Sequence, residues 1–308
     1  MKHGKKSFMI IEAVLGILVI LVLGFIIYKQ NGHEPATIAV IIPDVDESEW
    51  SAFKYGLKMA AREYDANVVI ISKDNMETAN DEIEIVNQEI VKGADAVIVK
   101  PIANQNGRQK LKQLEKSVPI MAVGDTFPEE PSGLHTIEPD HYHMGADLAQ
   151  KLLENYRGNL IGKKIGIYSQ HATSEAVIKR KKGICDTLKG SGAEILWSVS
   201  KENDSKEKIN LQTQRRVDIV MALDNASFVE AGEAANDIVM YGAVLYGIGN
   251  STEAVYYLDA GWAQCLVAPD EFDAGYESVA ELIKKRRNFF YKMKDRQITY
   301  TVLTRENL

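Results

Sequence analysis

Short apolar runs alternate with amphipathic stretches along almost the whole chain, and this alternation leaves few folds open. Residues 37–42 are β-branched and apolar on both faces, as a strand covered on both sides reads. The next stretch, 51–64, carries Phe53, Leu57, Ala60 and Ala61 on one helical face. The same reading predicts strands at 67–72, 96–99 and 120–123, with helices at 78–92 and 106–116. A second series then begins. It has helices at 144–155, 175–188, 229–240 and 272–290, and strands at 164–168, 194–198, 219–223, 244–248 and 265–268.

Strands separated by helices pair in parallel, because a parallel crossover needs a dozen or more residues. Helices then cover both faces of the sheet. Two successive series imply an α/β protein of two similar lobes, which a length of 308 residues accommodates. Ligands of such sheets bind beyond the carboxyl ends of the strands. Those ends read Pro43-Asp44, Lys100-Pro101, Gly124-Asp125-Thr126, Ser169-Gln170-His171, Asp224-Asn225, Gly249-Asn250 and Ala268-Pro269. Polar and turn-forming residues thus gather where a cleft between the lobes would lie.

Composition narrows the function. With 36 basic against 43 acidic residues the net charge is −7, and a concentrated basic face for nucleic acid is not expected. Cys185 and Cys265 do not make a disulfide framework and read as two small buried hydrophobes. The chain has no P-loop, no G-x-S-x-G and no H-E-x-x-H, so no enzyme is expected. Asp44, Asp46, Glu47 and Glu49 lie too close in sequence to flank a bond as paired carboxylates. His141-Tyr142-His143 sets two imidazoles two apart with no third clear ligand, so neither a metal nor a cofactor is expected.

The amino terminus has its own signal. Residues 8–28 are almost wholly apolar after Lys2, Lys5 and Lys6, with Glu12 the only charge inside the run. A helix of this length spans about 30 Å, enough for a bilayer. No cleavage site follows Tyr28 and no lipidation cysteine is near. A prepilin-like reading of Ser7 to Glu12 fails because nothing downstream resembles a pilin. The expectation is a cytoplasmic stub (1–6), a single transmembrane anchor (7–28) and a tether (29–36). The bulk of the chain would then lie outside the cytoplasm, at the cell membrane.

The exterior part, roughly residues 37–308, resembles the type I periplasmic binding proteins, in particular their ribose and galactose branch. The resemblance rests on ordered pieces. Ile38 to Ile42 leads through a loop to Trp50 and a helix with Gly56. Gly93 to Pro101 is similar to the family's G-x-D-A-I-I-I-x-P segment. Val118-Pro119-Ile120 with Gly124-Asp125 is similar to its next turn, and Asp140 with Gly145-Ala146 to a crossover between lobes. Thr173 to Gly183 has an arginine, Arg180, three residues before a glycine. Tyr246 to Gly249 and Gly261 are similar to the last strand, helix and turn.

The resemblance implies two hinged lobes closing on a small solute, one of residues 37–137 and 270–297, the other of 138–269 and 298–308. A final strand near 298–303 would finish the second lobe. It places ligand contacts at Asp46, Trp50, Lys100, Asp125, Thr126, Arg180, Asn203, Asp224, Asn225 and Asn250. Trp50 would stack on a sugar ring, Asp125 would accept hydroxyl hydrogen bonds, and Arg180 would donate to sugar oxygens. The sequence departs from the family at Thr126, where an arginine is usual, and at Gly249, where an aspartate is usual and Asn250 follows. The implied function is solute binding, for a sugar, in ABC-type import with a membrane permease as partner. The alternative is a sensor ectodomain that reports its ligand to a histidine kinase.

Overall fold

A computed structural model describes residues 12–24, 35–43, 48–73, 78–102, 105–124, 134–170, 174–200, 211–236, 242–288 and 290–308. The chain divides into a unit of residues 1–36 and a unit of residues 37–308. In the first, residues 12–24 form helix α1. No helix among the described residues is long and apolar enough to cross a membrane. This corrects the expected transmembrane anchor over 7–28 and the single-pass placement at the cell membrane; the expected stub (1–6) and residues 29–34 of the expected tether lie outside the described residues. The described helix covers residues 12–24 of the apolar run; residues 7–11 and 25–28 lie outside the described residues.

The second unit holds two six-stranded sheets. The first uses β1 (Ala36–Pro43), β2 (Ala66–Lys73), β3 (Ala96–Val99), β4 (Ile120–Val123), β5 (His135–Pro139) and β11 (Arg296–Ile298), in the order β11-β5-β4-β3-β1-β2. The second uses β6 (Lys164–Ser169), β7 (Glu194–Ser200), β8 (Ile219–Ala222), β9 (Val244–Ile248), β10 (Ala263–Pro269) and β12 (Tyr300–Leu303), in the order β12-β10-β9-β8-β6-β7. The central strands pair in parallel, Ile38 to Ile41 against Ala96 to Val99 in one sheet and Ile165 to Tyr168 against Ile219 to Ala222 in the other. Their residues are buried on both faces, because helices cover each side. β12 runs antiparallel to β10.

The helices are α2 (Ser51–Tyr64), α3 (Ala79–Val91), α4 (Gln105–Leu114), α5 (His141–Asn155), α6 (Glu175–Thr187), α7 (Asn225–Asn236), α8 (Thr252–Asp259) and α9 (Glu271–Arg287). α2 packs on α9, and α5 on α6. The chain passes between the sheets three times: from β5 into α5, from β10 into α9, and from β11 to β12 at Thr299. The single strand expected at 298–303 is therefore two strands in different sheets. Asp270 N donates to Thr299 O at 2.9 Å, tying two of the passages together. Helix α7 begins four residues before its expected start at 229, because Asp224 accepts from Ser227 N at 2.8 Å and fixes the first turn there.

Candidate ligand-binding cleft

The carboxyl ends of the two sheets meet through side chains. From the first lobe come Ser48, Glu49 and Trp50 ahead of α2, Lys100 after β3, and Glu271, the first residue of α9. From the second come Arg180 on α6, Asp224 and Asn225 after β8, Asn250 after β9, and Glu253 on α8.

Glu49 is the meeting point. Its Oε1 lies 3.7 Å from Lys100 Nζ, and its Oε2 accepts from Asn225 Nδ2 at 3.4 Å. Its backbone carbonyl accepts from Asn250 Nδ2 at 3.0 Å. Ser48 Oγ donates across the same gap to Glu253 Oε2 at 2.7 Å. Asn225 is itself held, since its Oδ1 accepts from both Asn250 N and Ser251 N at 3.1 Å.

Trp50 is only 4% exposed. Phe53 meets its ring edge-on at 5.6 Å, and Lys100 Nζ lies 4.5 Å from the ring centroid. One face of the indole is thus taken by a cation, the arrangement a ring quadrupole favours. Trp50 Nε1 is buried and finds no hydrogen-bond partner among the described residues.

Arg180 reaches the second lobe's own framework. Its Nη1 donates to Leu223 O at 2.8 Å and its Nε to His141 Nδ1 at 3.3 Å, which assigns the His141 proton to Nε2. That Nε2 stands 3.4 Å from Glu138 Oε2. Both Asp224 oxygens are engaged as well, by Ser227 N and by Gln170 N at 2.8 Å each. Asp224 shapes the wall of the cleft, and Asn225 beside it carries the amide that reaches across.

Glu271 sits among these charges. Burial pushes its carboxyl up to about 7; Lys100 opposes the rise, Glu49 adds to it, Arg180 opposes it and Asp270 adds to it. A carboxyl poised near neutrality can donate or accept a hydrogen bond. Of the residues expected at the site, Trp50, Lys100, Arg180, Asp224, Asn225 and Asn250 lie at this junction. Asp46, Asp125, Thr126 and Asn203 lie outside the described residues. Ser48, Glu49, Glu253 and Glu271 were not foreseen. Glu271 had a signal in the sequence: Pro139-Asp140-His141-Tyr142-His143-Met144-Gly145 and Pro269-Asp270-Glu271-Phe272-Asp273-Ala274-Gly275 share proline, aspartate, an aromatic and a glycine at the same offsets.

No group of three or more metal-ligating side chains occurs among the described residues. His143 Nδ1 pairs with Asp140 Oδ2 at 2.7 Å. Both thiols are free, and burial pushes that of Cys265 up to about 12.

Two parallel sheets, three passages between them and polar side chains converging between their carboxyl ends define a two-lobed binding protein. The chain belongs to the periplasmic binding protein domain family, which it matches over residues 38–286. Solved structures share the fold. A glucose-galactose binding protein, GanP, from Geobacillus stearothermophilus is 15% identical with a TM-score of 0.76, over 89% of this chain and 99% of that one. A carbohydrate transporter solute-binding protein from Agrobacterium radiobacter, in complex with D-arabinose, is 16% identical with a TM-score of 0.78, over 90% and 96%. The Caulobacter myo-inositol binding protein bound to myo-inositol is 16% identical with a TM-score of 0.75, over 90% and 95%. No curated protein matches the chain.

Proposed function

We propose that this chain is a solute-binding protein that closes on a sugar and delivers it to the permease of an ABC-type importer, without catalysing a reaction. One observation carries the reading: hydrogen-bonding side chains from the strand ends of both sheets, Lys100 on one side and Asn225 and Asn250 on the other, converge on one junction. Such a junction can be completed by a polyhydroxylated ligand held from both lobes. Trp50 supports the same reading through its buried, unpartnered Nε1. The similar structures named above are described as binding glucose and galactose, D-arabinose and myo-inositol. Neither the family match nor these structures support the sensor alternative.

Thermal unfolding of the chain against D-arabinose, D-glucose, D-galactose and myo-inositol tests the proposal. A ligand at ~100 times its Kd adds about 2.7 kcal/mol of stability, which a melting curve resolves readily. The expected result is a shift with one of them that disappears in Asn225→Ala and in Trp50→Phe, which keeps a ring and loses the N–H. A folded protein that shifts with none of them overturns the sugar reading for this panel.

A further inference from the structure

Most polar groups at the junction are already engaged inside the chain. Asn225 Nδ2 and Asn250 Nδ2 both donate to Glu49, at 3.4 and 3.0 Å, and Lys100 Nζ lies 3.7 Å from the same residue's carboxylate. Arg180 donates to Leu223 O and to His141 Nδ1, while the two Asp224 oxygens accept from Ser227 N and Gln170 N. A group so paired adds little to the binding of a newcomer, because each new bond replaces an existing one.

Two groups are left over. Trp50 Nε1, on a residue 4% exposed, has no hydrogen-bond partner among the described residues. The Glu271 carboxyl makes no hydrogen bond or ion pair with any described residue, although Lys100, Glu49 and Arg180 all lie close enough to act on its charge. The first is a neutral donor, and the second is an acceptor that carries a charge when ionised. A ligand complementary to both presents an acceptor to the indole and a donor to the carboxyl.

Charge balance decides what kind of donor. Glu49, Asp224, Glu253, Asp270 and Glu271 stand around the junction against Lys100 and Arg180, five acids to two cations. A hydroxyl would bond to Glu271 and leave that excess unchanged. An ammonium brings N–H donors together with the missing charge, and a hydrogen bond to an ionised partner is roughly twice as strong as one between neutral groups. It also reverses the effect of burial on Glu271, since an adjacent cation favours the ionised carboxylate.

We propose that Glu271 is the seat of a ligand amine, and that the cleft selects amino sugars over neutral sugars of the same shape. The inference rests on the solute-binding reading and names the ligand class within it, with Glu271 as the specificity-determining residue.

Calorimetric titration of the full chain tests this with D-glucosamine and D-galactosamine, their parents D-glucose and D-galactose, and N-acetyl-D-glucosamine, whose nitrogen is uncharged. One of the amines should bind roughly tenfold to a hundredfold more tightly than its parent sugar. Acetylation should cancel the gain. Glu271→Gln, which keeps the shape and loses the charge, should abolish the preference by weakening the amine while the parent sugar's Kd changes little. A second readout follows the proton. At about pH 6 the free carboxyl is mostly protonated and the amine already charged, so binding should release close to one proton to the buffer. Heats measured in two buffers of different ionisation enthalpy report it, and Glu271→Gln should release none. Equal affinity for amine and parent sugar, a preference that survives in folded Glu271→Gln, or no proton release from the native protein overturns the proposal. Binding of neutral sugars without an amine preference sinks this inference and leaves the sugar reading standing, whereas binding of none of the five compounds sinks both.

Discussion

The two passages Pro139–Gly145 and Pro269–Gly275 repeat one framework and differ at one residue that matters. Each has proline ending a strand, aspartate capping the next helix, an aromatic two residues on, and a glycine where a neighbouring helix comes close. A Cβ at Gly145 would lie 2.0 Å from Arg180 O, and one at Gly275 would lie 2.3 Å from Phe53 O. The partners answer in kind: a Cβ at Gly183 would meet Tyr142 O at 2.1 Å, and one at Gly56 would meet Phe272 O at 2.0 Å. The difference lies at the first helical residue. His141 joins Glu138, on β5 of the first sheet, to Arg180 on α6, whereas Glu271 sits among Lys100, Glu49 and Arg180 at the junction. The framework that turns the chain is thus held constant while the group it carries to the cleft is free to change.

The largest effect should come from breaking the shared framework. Gly145→Ala and Gly275→Ala each place a methyl against a backbone carbonyl that cannot rotate away. Parting the helices should cost about 3 kcal/mol, the upper end for an overpacked core, and well above the ~1 kcal/mol that alanine gains over glycine in a helix. Urea unfolding of each variant measures this. A cost near zero in either would show that its helix pair has slack, and the two passages would no longer be equivalent.

Next comes the residue at which the passages differ. An acid whose pKa is raised on folding binds more protons folded than unfolded, so stability falls as pH climbs from the unfolded value of 4.5 to the folded value of about 7. Glu271→Gln removes this dependence. Allowing for remaining solvent contact, it should gain about 2 kcal/mol over the native protein at pH 8, and little at pH 4. Denaturation across that range decides the matter, and parallel curves for the two proteins would remove Glu271 from the charge cluster. Glu82 is a useful companion, because it is buried away from the junction and its carboxyl is pushed up to about 8 by burial, against the pull of the Ile102 backbone amide. Its pH dependence should persist in Glu271→Gln.

The parts of this architecture that were legible share a physical cause. β3, β4 and β9 emerge with the bounds read from the sequence because strands covered on both faces must be continuously apolar. β5 escaped notice because His135, Glu138 and Pro139 dilute that signal; pairing with β4 and β11, and an Asp295 carboxylate accepting from Thr136 N at 2.9 Å, make it a strand. Helix α8 is only eight residues, too short for a helical period to stand out. At the cleft, Lys100, Asn225 and Asn250 were readable as polar residues at strand ends. Glu49 and Glu271 were not, since an acid in a loop or at a helix start looks solvated until a second lobe is seen to face it.

The smallest effect concerns the aspartates that cap the two helices, and it asks whether the passages differ there at all. Asp140 accepts from His143 N at 3.0 Å, and Asp270 from Asp273 N at 3.0 Å, so each satisfies one amide of a first helical turn. Asp140 has an additional partner in the His143 ring. Burial raises its pKa, but the bonds from the His143 backbone and ring outweigh this and hold the carboxyl below its usual value. The His143 side chain is 63% exposed, and a pair this open contributes only a few tenths of a kcal/mol. Asp140→Ala and Asp270→Ala should therefore each cost about 1 kcal/mol in urea unfolding at pH 7. The Asp140 contribution, present above the ordinary carboxylate pKa, should be lost as pH falls through the folded value. If Asp140→Ala cost ~2 kcal/mol more than Asp270→Ala, the His143 ring would be a structural member of the first passage, and the shared framework would end at the aspartate.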